Sequence, residues 1–127
     1  MRDAIKHFTD LEVWQKSREL AVITYSATAK FPKSELFGIT NQIRRAVTSI
    51  SANIAEGMGR GSYADRARFY YNTRGSIYEV ESYLIVSKDL KHLAIDEFTK
   101  SMDILNSTRM LLNAFIAKTL KIADERQ

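Results

Sequence analysis

Gln42–Gly61, QIRRAVTSISANIAEGMGRG, is the stretch that decides the fold. Ile43, Val47, Ile50 and Ile54 recur at i, i+4, i+7 and i+11, the repeat of one face of an α-helix. Ser49, Ser51, Ala52, Asn53 and Ala55 stand where a surface helix ordinarily carries lysine and glutamate. Small, weakly polar side chains let other backbones come close, so the pattern predicts a helix surrounded on several sides. A chain of 127 residues has little material to surround a helix with, and the pattern therefore points to assembly as well as to a core. Gly57, Gly59 and Gly61 then read as a flexible break that reverses the chain.

Working outward, the flanking sequence is helical too. Thr9-Asp10-Leu11-Glu12 has capping-box spacing, which predicts a first helix over 9–30. That helix runs through Leu11, Trp14, Leu20, Ala21 and Tyr25, and Phe31-Pro32 stops it. Pro32 to Gly38 is a connector with room for a short helical turn, and the second helix covers 39–58. Ser62-x-x-Asp65 resembles an N-cap with an acid in the first turn, starting a third helix over 63–90. A fourth, over 96–121, places Phe98, Met102, Leu105, Leu112, Ile116 and Leu120 along one face. One proline and five glycines are too few turn formers for a sheet-rich fold. The expectation is a single all-α domain over 1–127, an antiparallel up-down-up-down four-helix bundle.

The third helix is apolar on two sides. Phe69, Thr73, Ile77, Val80 and Leu84 form a core stripe, while Tyr71, Tyr78 and Ile85 repeat every seven residues on nearly the opposite side. Aromatic residues often lie singly on surfaces, but three in register predict an oligomer interface. Ile104, Leu111 and Phe115 widen the apolar arc of the fourth helix beyond what one core requires, which supports the same expectation. Gly75-Ser76 in mid-helix costs about 1 kcal/mol relative to alanine, and a close helix crossing is the simplest compensation.

Charge is concentrated. The chain holds 19 basic and 15 acidic residues. Between Asn41 and Gly75, six arginines (Arg44, Arg45, Arg60, Arg66, Arg68 and Arg74) face only Glu56 and Asp65, so this window alone carries the net +4. Arginine suits phosphate forks and stacking, so these six are the candidate RNA- or DNA-binding residues. The competing reading is a set of internal salt bridges on a protein-interaction scaffold. Arg45 and Glu56 share one side of the second helix but lie too far apart to pair. Glu79 or Glu81 could serve Arg45, and a catalytic carboxylate is the sharper reading of Glu56. Arg66, Arg68 and Arg74 alternate with Phe69, Tyr70 and Tyr71, a combination usable on single-stranded nucleic acid if the rings are not already committed to packing. Gly57-Met58-Gly59-Arg60-Gly61 lacks the G-K-[ST] ending and preceding strand of a phosphate-binding loop; Arg60 at its tip is expected to be exposed.

Positive signs of catalysis do not appear. There is no cysteine, and His7 and His92 are isolated. No Glu-x-x-His pair exists from which a bundle di-iron site is built, so neither a metal nor a cofactor is expected. No apolar run approaches the roughly 20 residues that span a bilayer, and MRDAIKHFTD lacks a signal-peptide core. The expected location is cytoplasmic, with no membrane partner.

LEVWQKSRELA (Leu11–Ala21), Phe31-Pro32-x-x-Glu35, QIRRAVTSISANIAEG (Gln42–Gly57) and RGSIYEVESYL (Arg74–Leu84) together resemble the four-helix bundle family encoded by intervening sequences of 23S ribosomal RNA genes. Ser17 and Arg18 depart from its pattern. The resemblance implies a bundle that assembles as a ring of five and is not an enzyme. A related branch, the accessory protein of diversity-generating retroelements, implies by analogy a nucleic-acid partner and a reverse transcriptase; fold alone does not fix function.

Overall fold

The computed structural model describes residues 7–126. Residues 1–6, part of the stretch without a signal-peptide core, lie outside it. Four helices form: α1 (Glu12–Thr28), α2 (Ile39–Met58), α3 (Tyr63–Asp89) and α4 (Ile95–Glu125). Short 3-10 turns at Phe8–Asp10 and Lys33–Glu35 precede α1 and α2. Each helix packs on its neighbours in sequence and α4 closes on α1, the square section of an up-down-up-down bundle.

The helix starts follow their local chemistry, with one correction. At α3 the Ser62 hydroxyl accepts from the Asp65 backbone N–H at 3.1 Å, the expected N-cap. The capping box at Thr9 does not form. Its hydroxyl is bonded to the His7 ring at 2.8 Å and its carbonyl accepts from Gln15 at 2.8 Å, so Thr9 sits in a 3-10 turn. Extended Leu11, buried at the bundle edge, leads into α1 instead. At the far end, α4 runs on to Glu125 rather than stopping near Lys121.

Ile43, Val47, Ile50 and Ile54 of α2 are all fully buried, as are Ile77 and Val80 of α3. The core face of α1 is a second correction. It is Val13, Ser17, Leu20, Thr24 and Ala27, while Trp14 and Ala21 are half-buried on a flank and Tyr25 is exposed. Polar letters hid this face. Thr28, Thr73, Thr108 and Thr119 each return their hydroxyl to the carbonyl four residues back (2.8–3.1 Å), and their methyls fill the core. Ser17, the departure from the family pattern, donates to the Trp14 carbonyl at 2.6 Å, and Arg18 lies over the Trp14 ring.

The glycines also divide differently from the expectation. Gly57 is buried inside α2, and a Cβ there would lie 2.5 Å from Tyr70 Cε1 and 3.1 Å from Phe69 Cβ. It is a close-approach site between α2 and α3 as well as the start of the chain break. Gly75 is the reverse: a Cβ there would meet nothing within 4 Å, so no crossing among the described residues compensates it. Its neighbour Ser76 does join the helices, through a 2.6 Å hydroxyl bond with Ser49. Ile104, Leu111 and Phe115 pack against the core of this same chain, Phe115 with its ring 4.7 Å from Tyr70, so the wide arc of α4 is used within the bundle.

Burial pushes the Tyr70 hydroxyl up to about 12 from 10.0, with Arg66 opposing the shift. Below pH 10 both folded and unfolded chains keep this proton, and stability is unaffected. Between pH 10 and 12 the unfolded chain releases it first, so stability falls with rising pH, by about 2 kcal/mol across the window. Urea unfolding of the wild type and Tyr70→Phe between pH 9 and 12 checks this; the variant is expected to lose that part of the alkaline slope.

Candidate functional site

The six candidate arginines do not share one surface. Arg44 turns inward toward α1: its Nε donates to Thr28 Oγ1 at 2.9 Å and Nη2 to the Tyr25 carbonyl at 3.3 Å, with the guanidinium 4.6 Å over the Tyr25 ring. It satisfies the last turn of α1, where a cation also complements the helix dipole. Arg44 is therefore a structural residue. Arg45 is exposed on the outer side of α2 and makes no ion pair among the described residues. Its suggested partners are engaged elsewhere: Glu81 accepts from Arg109 of α4 at 2.8 Å, and Glu79 faces the Tyr83 hydroxyl. Arg74 lies 5.0 Å over Tyr71 on the outer side of α3.

The other three gather where α2 turns into α3. Arg60 folds back instead of projecting, 3.3 Å from Glu56, 3.7 Å from Asp65 and 4.5 Å over the Phe69 ring. Arg68 pairs with the same Asp65 at 3.0 Å and lies 4.6 Å over the same ring. Arg66 donates from Nε to the Arg60 carbonyl at 2.8 Å and sits 4.4 Å over Tyr63. A fourth guanidinium joins them from the end of α4: Arg126, 4.5 Å over Tyr63. The rings are thus covered by guanidiniums, and Phe69 and Tyr70 are buried. They hold arginines in place. Glu56, ion-paired and more than half exposed, has none of the burial that tunes a catalytic carboxylate.

The second candidate surface is the outer side of α3. Tyr71, Tyr78 and Ile85 are exposed by 42%, 57% and 39%, one above another, with Gly75 open between the two tyrosines. Arg109 borders this ridge, lying 4.7 Å over the Tyr78 ring. Burial pulls its guanidinium pKa down, and the Glu81 hydrogen bond together with Tyr78 more than offsets that, so the net direction is up. The Arg109–Glu81 pair ties α3 to α4, and Arg109 and Arg126 are the functional candidates that the sequence pattern did not expose. Both meet their partners across helix boundaries, which no linear spacing encodes.

Among the described residues, no group of three or more His, Asp or Glu could hold a metal ion. No described helix is long and apolar enough to cross a membrane.

Residues 9–114 match the model of the 23S rRNA-intervening sequence protein family. The chain belongs to that family. A solved structure from the S23 ribosomal protein family, a protein of unknown function from Bacteroides thetaiotaomicron, superposes with a TM-score of 0.74 at 25% identity. The match covers 82% of this chain and 97% of that one. No curated protein matches the sequence. The family match spans α1 to α3 and most of α4; it includes Arg66 and the outer ridge of α3, and it ends before Arg126.

Proposed function

We propose that the chain is a non-enzymatic interaction module that works as a homo-oligomer, its copies meeting on the outer ridge of α3. Gly75 carries this reading. A glycine in the middle of a 27-residue helix costs about 1 kcal/mol, and among the described residues no atom lies within 4 Å of where its Cβ would stand. A second copy seated between Tyr71 and Tyr78 supplies the close approach that the glycine permits, and it covers Ile85 as well. The fivefold ring implied by the family resemblance is the expected form. The arginines favour this scaffold reading over a continuous nucleic-acid face, because Arg44 holds α1 and Arg60 and Arg68 share Asp65.

A second reading is specific to the α2–α3 end, where the guanidiniums of Arg60, Arg66, Arg68 and Arg126 gather and those of Arg66 and Arg126 make no ion pair among the described residues. There the module would contact RNA or DNA phosphates with little sequence reading. Light-scattering mass on a sizing column, alone and with a short structured RNA at low and moderate salt, tests both. A pentamer that ignores RNA leaves the scaffold reading standing alone. A pentamer that takes up RNA at low salt and releases it as salt rises supports both, and the Arg60, Arg66, Arg68 triple glutamine variant then weakens binding broadly. A monomer removes the first reading.

A further inference from the structure

We propose that Arg66 and Arg126, converging on Tyr63, form a site for a phosphate oxyanion at the α2–α3 end of the bundle. The two guanidiniums lie 4.4 and 4.5 Å from the centre of one ring. Neither makes an ion pair among the described residues, although their neighbours Arg60 and Arg68 are both held by Asp65. Two like charges lie on one ring; Glu56 and Asp65 are engaged by Arg60 and Arg68, and the exposed Asp124 and Glu125 beside Arg126 pair with neither guanidinium among the described residues, so an anion that bridges the two relieves their repulsion.

The site is organised before any ligand arrives. The Arg66 Nε is fixed on the Arg60 carbonyl, which leaves its two terminal nitrogens for a forked contact with two oxygens of one group. Tyr63 is the first residue of α3, so the positive end of a long helix dipole adds to the same field. Arginine forks match the spacing of phosphate oxygens, so an oxyanion is the ligand this pair recognises. The same chemistry can come from a nucleic-acid backbone or from a free polyphosphate. Only the first source rests on the second reading above.

Pyrophosphate titrated into 15N-labelled full-length protein at low salt tests the site. Saturable shifts at the Tyr63 and Arg66 amides are expected, with binding about tenfold weaker in Arg126→Gln and in Arg66→Gln. Arg45→Gln, an exposed arginine remote from Tyr63, is expected to bind as the wild type does. Arg66→Gln also removes the Arg60 carbonyl bond; should it fail to fold, Arg126→Gln alone decides, since among the described residues the Arg126 side chain contributes only its contact with Tyr63. Absence of shifts in the wild type, or undiminished affinity in Arg126→Gln, overturns the proposal. With the site established, a short single-stranded RNA separates the sources. RNA displaced by pyrophosphate assigns the site to nucleic-acid phosphates, whereas RNA that fails to bind, or binds without competing, assigns it to free polyphosphate and counts against the nucleic-acid reading at this end.

Discussion

Gly57→Ala is expected to lower the unfolding free energy by about 2 kcal/mol, even though alanine is the better helix former. The added Cβ would stand 2.5 Å from Tyr70 Cε1 and 3.1 Å from Phe69 Cβ. Neither obstacle is the loose end of a flexible chain. Tyr70 is buried with its ring against Phe115, and the Phe69 Cβ is fixed to the α3 backbone. Relief requires α2 and α3 to separate at this close approach, and that disturbs the Arg60 and Phe69 contacts just beyond. The neighbouring glycines are the internal control. A Cβ at Gly59 comes no closer than 3.4 Å, to the Glu56 carbonyl, and one at Gly61 meets nothing. Urea unfolding of the three alanine variants should therefore single out Gly57; equal stability for Gly57→Ala and Gly59→Ala would show that the α2–α3 contact is looser than its geometry implies.

That contrast also shows what the sequence makes legible. Three alternating glycines announce a chain reversal, and the reversal is there. Which of the three is packed depends on Tyr70, a residue on the next helix, and spacing along the chain is silent about it. The α2 stripe was legible because isoleucine and valine at helical spacing have one reading. The α1 core was not, because Ser17 and Thr24 stand in it while Trp14 and Tyr25 lie about a quarter-turn away on the flank. Ser17, whose hydroxyl returns to its own helix, is apolar in effect and polar in spelling. The wide arc of α4 misleads in the opposite sense, since Phe115 is used against Tyr70 inside the bundle.

The arginine window was legible as composition and illegible as geometry. Helical periodicity already separates Arg44 from Arg45, and the structure sends the first to cap α1 and leaves the second in solvent. Three of the six remain together at the α2–α3 end only because the chain reverses there. The fourth member of that group comes from the other end of the sequence. Exposed pairs such as Arg68–Asp65 are worth little to stability, so this cluster is better understood as a placed charge than as a fastener. Arg109 and Glu81, both mostly buried, are the pair that fixes how α4 sits against α3.

Tyr78→Glu is expected to dissociate the proposed oligomer while the helix content stays nearly unchanged. Within one chain the substitution is mild. Tyr78 is 57% exposed, it is absent from the core, and a glutamate there would lie beneath Arg109, which already accompanies Glu81. At a packed contact between copies the same carboxylate must be desolvated, a penalty of several kcal/mol that recurs at every interface of a ring. Gly75→Lys gives the sharper separation of fold from assembly. Its Cβ meets nothing within 4 Å, so the isolated bundle should gain up to about 1 kcal/mol in helix propensity. A ridge that receives a second copy at that glycine has no room for the side chain, so the variant should be more stable as a monomer and unable to assemble. Light scattering reports the mass and circular dichroism the helix content. A Gly75→Lys protein that keeps the wild-type oligomeric mass would place the contact elsewhere and leave the glycine without an explanation.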